Sequence, residues 1–97
     1  MPTYISLINW TDQGIRSSKE TVDRANAAKD VAQRMGGALT SVYWTVGQYD
    51  IVTISDFPDD ESATAFLLAV SAQGNIRSTT LRAYTPDQMT AIIERLG

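Results

Sequence analysis

The short segment joining two β-rich runs near the middle of the chain most constrains its fold. Residues 38–46 and 51–57 are rich in β-branched and aromatic side chains, and only Gly47-Gln48-Tyr49-Asp50 separates them. So short a connection makes an antiparallel hairpin and leaves no room for a crossover. In the first run Val42, Trp44 and Val46 are expected on one face, with Leu39, Ser41, Tyr43 and Thr45 on the other. A two-stranded hairpin is marginal in water, so the flanking sequence has to complete the sheet.

Both flanks carry one strand and one long helix. Residues 3–10, TYISLINW, alternate, with Ile5 and Leu7 on one face and Tyr4, Ser6, Ile8 and Trp10 on the other. Thr11 is a suitable N-cap and Asp12 adds negative charge to the first turn. The spacing predicts a single helix from there to about Met35, with the stripe Ile15, Val22, Ala25, Ala28, Ala32 and Met35. Its alanines allow close approach to a sheet. Gly36-Gly37 ends it.

After the hairpin, Pro58-Asp59-Asp60-Glu61 opens a second helix with Asp59 as cap, running to about Gln73 and ending at Gly74. Residues 75–84 read as the last strand. Thr85-Pro86-Asp87-Gln88 is a capping box with proline at the first helical position. Met89, Ile92, Ile93 and Leu96 then form the apolar side of a short final helix. The order is β-α-β-β-α-β plus a helix. This is an α+β, ferredoxin-like sandwich, and residues 1–97 make one domain.

Two helices cover one face of such a sheet. The other face keeps large apolar side chains whichever way the strands turn, and each left in water forgoes roughly 1.5–3 kcal/mol. The final helix can shield part of that face; packing against another copy of the chain shields it better. The helix after Pro58 adds to this expectation. Ala63, Phe66, Leu67 and Val70 line one side, while Leu68, Ala69 and Ala72 make the opposite side apolar too. A helix apolar all round is usually covered twice.

Composition removes many functions. The chain has no cysteine and no histidine. Disulfides, thiolate metal sites, thiol nucleophiles and every histidine-dependent mechanism are therefore excluded. Neither a metal nor another cofactor is expected. The net charge is −3 and the eight basic residues are scattered, so the basic footprint that nucleic acid or anionic membrane requires is missing. No signal-peptide pattern opens the sequence, and residues 63–72, the most apolar stretch, are too short to span a bilayer. A cytoplasmic protein is expected.

Few residues are left for chemistry. Gly47 permits positive φ and Asp50 suits a turn, yet Tyr49 and Asp50 can also meet a polar ligand at a subunit boundary. Arg77 can bind a carboxylate bidentately if it lies with Asn75 at a cavity mouth; otherwise it is a charge that protects a sheet edge. Arg82 invites the same two readings. Asp59-Asp60-Glu61 reads as capping, not as a cation site. Trp10, Trp44, Tyr4 and Tyr43 line either a core, an interface or a ligand cavity.

Four segments in order carry a resemblance: Asn9-Trp10-Thr11-Asp12-Gln13-Gly14, Val42-Tyr43-Trp44-Thr45, Gly47-Gln48-Tyr49-Asp50 and Gly74-Asn75-Ile76-Arg77. Together they resemble the GYD domain family, named for a Gly-Tyr-Asp signature, here with Gln48 between glycine and tyrosine. The likeness runs over nearly the whole chain. It implies a dimeric α+β barrel assembly and no established activity. Residues 46–51 also resemble the Gly-x-Tyr-Asp hairpin in the effector domain of Lrp/AsnC-type regulators, where the turn helps form an amino-acid pocket between subunits. No helix-turn-helix precedes the first strand here.

These readings converge on a non-catalytic, oligomeric domain that binds a small metabolite or serves regulation, with itself as partner. The expected ligand residues are Gly47, Tyr49, Asp50, Arg77, Asn75 and Trp10. The alternative is a cofactor-free monooxygenase or isomerase that uses a tyrosine or an acid near the Gly47 turn.

Overall fold

The computed structural model describes residues 1–97. Four strands form one antiparallel sheet: β1 (Thr3–Trp10), β2 (Ala38–Trp44), β3 (Ile51–Asp56) and β4 (Ile76–Ala83). Their spatial order is β2-β3-β1-β4, the ferredoxin-like order in which each helical crossover skips one strand. The helices are α1 (Asp12–Arg16), α2 (Thr21–Arg34), α3 (Asp60–Ser71) and α4 (Pro86–Glu94). None is long and apolar enough to cross a membrane.

The single long helix expected after Thr11 is broken. Thr11 caps α1 as read, its hydroxyl accepting the Gly14 N–H at 3.1 Å. The backbone then leaves the helical region at Ser17 (φ −106°, ψ 32°), and a 3₁₀ turn over Ser18–Glu20 precedes α2. The reason is docking: Gly14 packs so tightly on Asn75 that a Cβ there would lie 2.0 Å from the Asn75 carbonyl oxygen. An axis fixed by that contact does not continue into α2. Ile15 and Val22, expected in the stripe, are consequently exposed.

Tyr4, Ser6 and Ile8 are buried and face the helices. The core gathers Tyr4, Ala32, Phe57, Ala63 and Phe66, flanked by Ala28, Val31, Met35, Leu39, Leu67 and Val70. The Phe57 ring lies 5.1 Å from that of Phe66. Leu39 joins this side because β2 carries a bulge. Leu39 pairs with Ser55 and Ser41 with Ile54, so Thr40 has no counterpart and the alternation shifts there. Leu39, Val42 and Trp44 therefore share the helix side, and Ser41 and Tyr43 the other. This corrects the uninterrupted alternation expected for β2.

The opposite face stays open. Ile5, Leu7, Val52 and Ile54 are half-buried there, and Tyr43 and Leu81 are 60% and 47% exposed. The final helix does not cover it. Its capping box forms as read, with Thr85 and Gln88 bonded reciprocally. Yet every residue of α4 except Gln88 is exposed. The body is 17 Å thin and 52 Å long. Its radius of gyration is 14.6 Å, against about 13 Å for a compact chain of this size.

Candidate functional site

One end of the sheet brings together the end of β1, the start of β4, the N-terminus of α2, the C-terminus of α3 and the β2–β3 loop. The corner between β1 and α1 is stitched to the corner between α3 and β4. The Thr11 N–H donates to the Asn75 carbonyl at 3.1 Å, and the Thr11 hydroxyl donates to the Gly74 carbonyl at 2.6 Å. Gln13 Nε2 donates to the Gln73 carbonyl and to Asn75 Oδ1, both at 2.9 Å. These bonds hold Trp10 beside Ile76, its partner across the ladder.

The β2–β3 loop is tied to the same corner from the other side. The Asp50 N–H donates to the Ile8 carbonyl, and the Thr45 N–H to the Asp50 carbonyl, each at 2.9 Å. Asp50 Oδ2 accepts the Trp10 backbone N–H at 2.9 Å. Asn9 Nδ2 reaches the Gln48 carbonyl at 2.8 Å, and the Thr45 hydroxyl the Tyr49 carbonyl at 2.5 Å. Gly47 has φ +130° with open space where a Cβ would stand, a conformation that glycine adopts at little cost.

Behind Trp10, between the sheet and helices α2 and α3, lies a cavity of about 90 Å³. Its walls are mostly aliphatic: Ile8, Ala25, Ala28, Val31, Leu67 and Val70 among them. Its polar lining is Ser6, Thr21, Arg24, Thr53, Gln73 and Asn75. The Trp10 indole N–H is buried and has no hydrogen-bond partner. An unpaired buried donor costs about 1–3 kcal/mol. Arg24 is half-buried, and its guanidinium donates to the Ser17 carbonyl at 2.8 Å, the Ser17 hydroxyl at 3.3 Å and the Gly14 carbonyl at 3.4 Å. All three acceptors are neutral.

Of the six residues expected at a ligand, Trp10 and Asn75 line this cavity. Asp50 stands one shell behind, holding the Trp10 backbone, and Gly47 and Tyr49 shape the loop that carries Asp50. Arg77 pairs with Asn9, so the alternation of β4 puts it on the open face, away from the cavity. Arg24 was missed by the sequence reading. It sits on α2 in line with Ala28 and Val31, an arginine within an otherwise apolar helix side, and that interruption is the signal that marks it.

The acids at the start of α3 have local duties. Asp59 Oδ1 accepts the Ser62 N–H at 2.8 Å, which holds its carboxyl below the usual range. Asp60 accepts the Tyr4 hydroxyl at 2.5 Å. Burial first, and then that hydrogen bond, push the Tyr4 phenol up to about 12. Tyr4 is thus a neutral donor at ordinary pH. Arg82 lies over the Tyr84 ring at 4.5 Å.

Comparison with known proteins adds two findings. The model of the GYD domain family matches residues 4–93. The chain is also similar to the glutamine synthetase and cystathionine beta-lyase binding protein of Thermus thermophilus, with 26% identity over 84 residues, spanning 86% of this chain and 88% of that protein.

Proposed function

This chain belongs to the GYD domain family, and we propose that it is a non-catalytic, self-associating binding domain that regulates by docking onto other proteins and holding a small metabolite. The open apolar sheet face carries this reading. Tyr43 and Leu81 stand exposed beside Ile5, Leu7, Val52 and Ile54, and α4 with the residues after it leaves Met89, Ile92, Ile93 and Leu96 exposed. A second copy of the same face, with the two α4 helices lying over its margins, supplies what is missing.

A separate apolar strip remains for a different partner. Leu68 is 67% exposed on the outer side of α3, next to exposed Ala69 and Ala72. It lies across the helix layer from the open sheet face, so self-association leaves it free. The similarity to a protein named for binding two metabolic enzymes supports an enzyme of amino-acid metabolism as the class of partner.

Catalysis has less support. The cavity lining contains no carboxylate, lysine or tyrosine, and proton abstraction needs a base within hydrogen-bond reach. Asp50 is occupied with the Trp10 backbone and Tyr4 is held neutral.

The test is a mass measurement joined to a capture. Light scattering at micromolar concentration is expected to give at least two chains, and Leu81→Glu to return a single 10.6 kDa species. Purified glutamine synthetase and cystathionine beta-lyase are then presented to the immobilised protein, with capture expected to be lost in Leu68→Glu. A monomer at every concentration overturns the self-association; capture indifferent to Leu68→Glu overturns the assignment of the α3 strip.

A further inference from the structure

The cavity behind Trp10 has two ends of different chemistry. Toward the middle of the sheet its walls are Ala28, Val31, Leu67 and Val70; toward the end of β1 they are Trp10, Thr21, Arg24, Gln73 and Asn75. We propose that this cavity binds a small carboxylic acid with a branched aliphatic body, its carboxylate against the Trp10 indole N–H and the Arg24 guanidinium. The inference rests on the reading of the chain as a binding domain, yet it needs neither self-association nor a protein partner.

Three observations select that class. The first is the indole N–H, which is sealed from water without an acceptor. A turn of the indole that brings this N–H to the cavity lets a ligand oxygen remove a standing penalty instead of replacing a bond to water. The second is the Arg24 charge. The guanidinium has five N–H donors, and its partners here are two carbonyls and a hydroxyl, so its charge is left for an anion to neutralise. A carboxylate meets that fork in two parallel bonds, and no acidic side chain lines the cavity to repel it. The third is size. Apolar cavities of roughly 150 Å³ accept a benzene ring. One of about 90 Å³ suits a smaller branched body, and its aliphatic walls exclude a polar one.

The β2–β3 loop gains a role in this arrangement. Asp50 fixes the backbone of Trp10, so the loop sets where the indole stands without touching the ligand. Asp50 is a positioning residue.

The experiment uses 3-methylbutanoate as probe and its neutral amide as control. Trp44→Phe leaves Trp10 as the single reporter, since the chain has two tryptophans. Titration of the full chain is expected to give a saturable change in indole emission, with the acid bound at least about tenfold more tightly than the amide. Arg24→Gln is expected to erase that preference while the amide still binds. Ala28→Phe, which fills the cavity, is expected to abolish both. Equal affinity for acid and amide in the parent chain overturns the proposal, as does the absence of saturation; this comparison needs no further variant and stands even where Ala28→Phe does not fold. Subunit mass is followed on the same samples. Lost acid binding with intact self-association sinks the ligand assignment alone, and the reverse result sinks the oligomer alone.

Discussion

Asp50 and Trp10 are joined across the end of the sheet: the carboxylate of the first accepts the backbone N–H of the second at 2.9 Å. The bond extends the β1–β3 pairing by one step where the loop ends and β3 begins, next to the bond from the Asp50 N–H to the Ile8 carbonyl. Removing it by Asp50→Ala is expected to cost about 1.5–3 kcal/mol, the scale of a hydrogen bond to a charged group. Asp50→Asn keeps an acceptor and should cost clearly less. Urea denaturation of the two variants measures the difference, and equal costs would mean that the carboxylate holds nothing.

Gly14 and Gly47 separate two reasons for glycine. Gly14→Ala drives a methyl group to 2.0 Å from the Asn75 carbonyl, backbone against backbone, and is expected to destabilise by about 1–3 kcal/mol as overpacking does. It should also loosen the Thr11–Asn75 bond, seen as faster exchange of the Thr11 amide. Gly47→Ala meets open space and only the cost of its φ of +130°, about 1 kcal/mol. Slow exchange at Thr11 in Gly14→Ala would argue against the docking of α1.

Tyr4 gives the fold an alkaline limit. Its phenol is raised from 10.0 to about 12 by burial and by Asp60. The unfolded chain therefore loses this proton before the folded one does. The stabilisation is complete below the unfolded value and disappears as pH rises from about 10 toward about 12. Absorbance titration should show one of the four tyrosines ionising late, together with unfolding. In Tyr4→Phe the fall in melting temperature over that window should be smaller, and an unchanged fall would place the alkaline sensitivity elsewhere.

Within its own chain α4 packs against little. The double change Ile92→Glu and Ile93→Glu is therefore expected to leave the melting of dilute protein within about 0.5 kcal/mol of the parent, the range of surface substitutions. Subunit mass at micromolar concentration should fall. A large loss of stability in the dilute, monomeric protein would show that α4 closes on its own sheet.

Strand order, hairpin, caps and the capping box at Thr85 were legible because each rests on local spacing. The break at Ser17 was not. It follows from α1 docking on Asn75, a residue 61 positions beyond Gly14, and no periodicity records such a contact. The same holds for the cavity. Trp10, Asn75 and Asp50, read from the sequence as ligand residues, do gather at one end of the sheet, since strand ends and turn residues mark ends. The sequence did not reveal that Arg77 alternates to the far face while Arg24 turns inward, because both are isolated arginines until strand parity and helix phase are known.

The bulge at Thr40 makes the β2 strand a counting device. Its residues before and after that point answer to opposite parities, so one inserted unit decides which aromatic faces which layer. Deleting Thr40 alone would remove the bulge and leave Leu39 opposite Ser55 and Ser41 opposite Ile54, so Val42 and Trp44 would keep the helix side and Tyr43 the open face. Pairing Thr40 with Ile54 at the present chain length would instead turn Tyr43 toward the helices and Val42 and Trp44 toward the open face, and the Trp44 indole would lose the Thr21 hydroxyl it reaches at 3.0 Å. One unpaired residue in an edge strand thus decides whether the outer sheet surface shows a phenol or an indole and a valine.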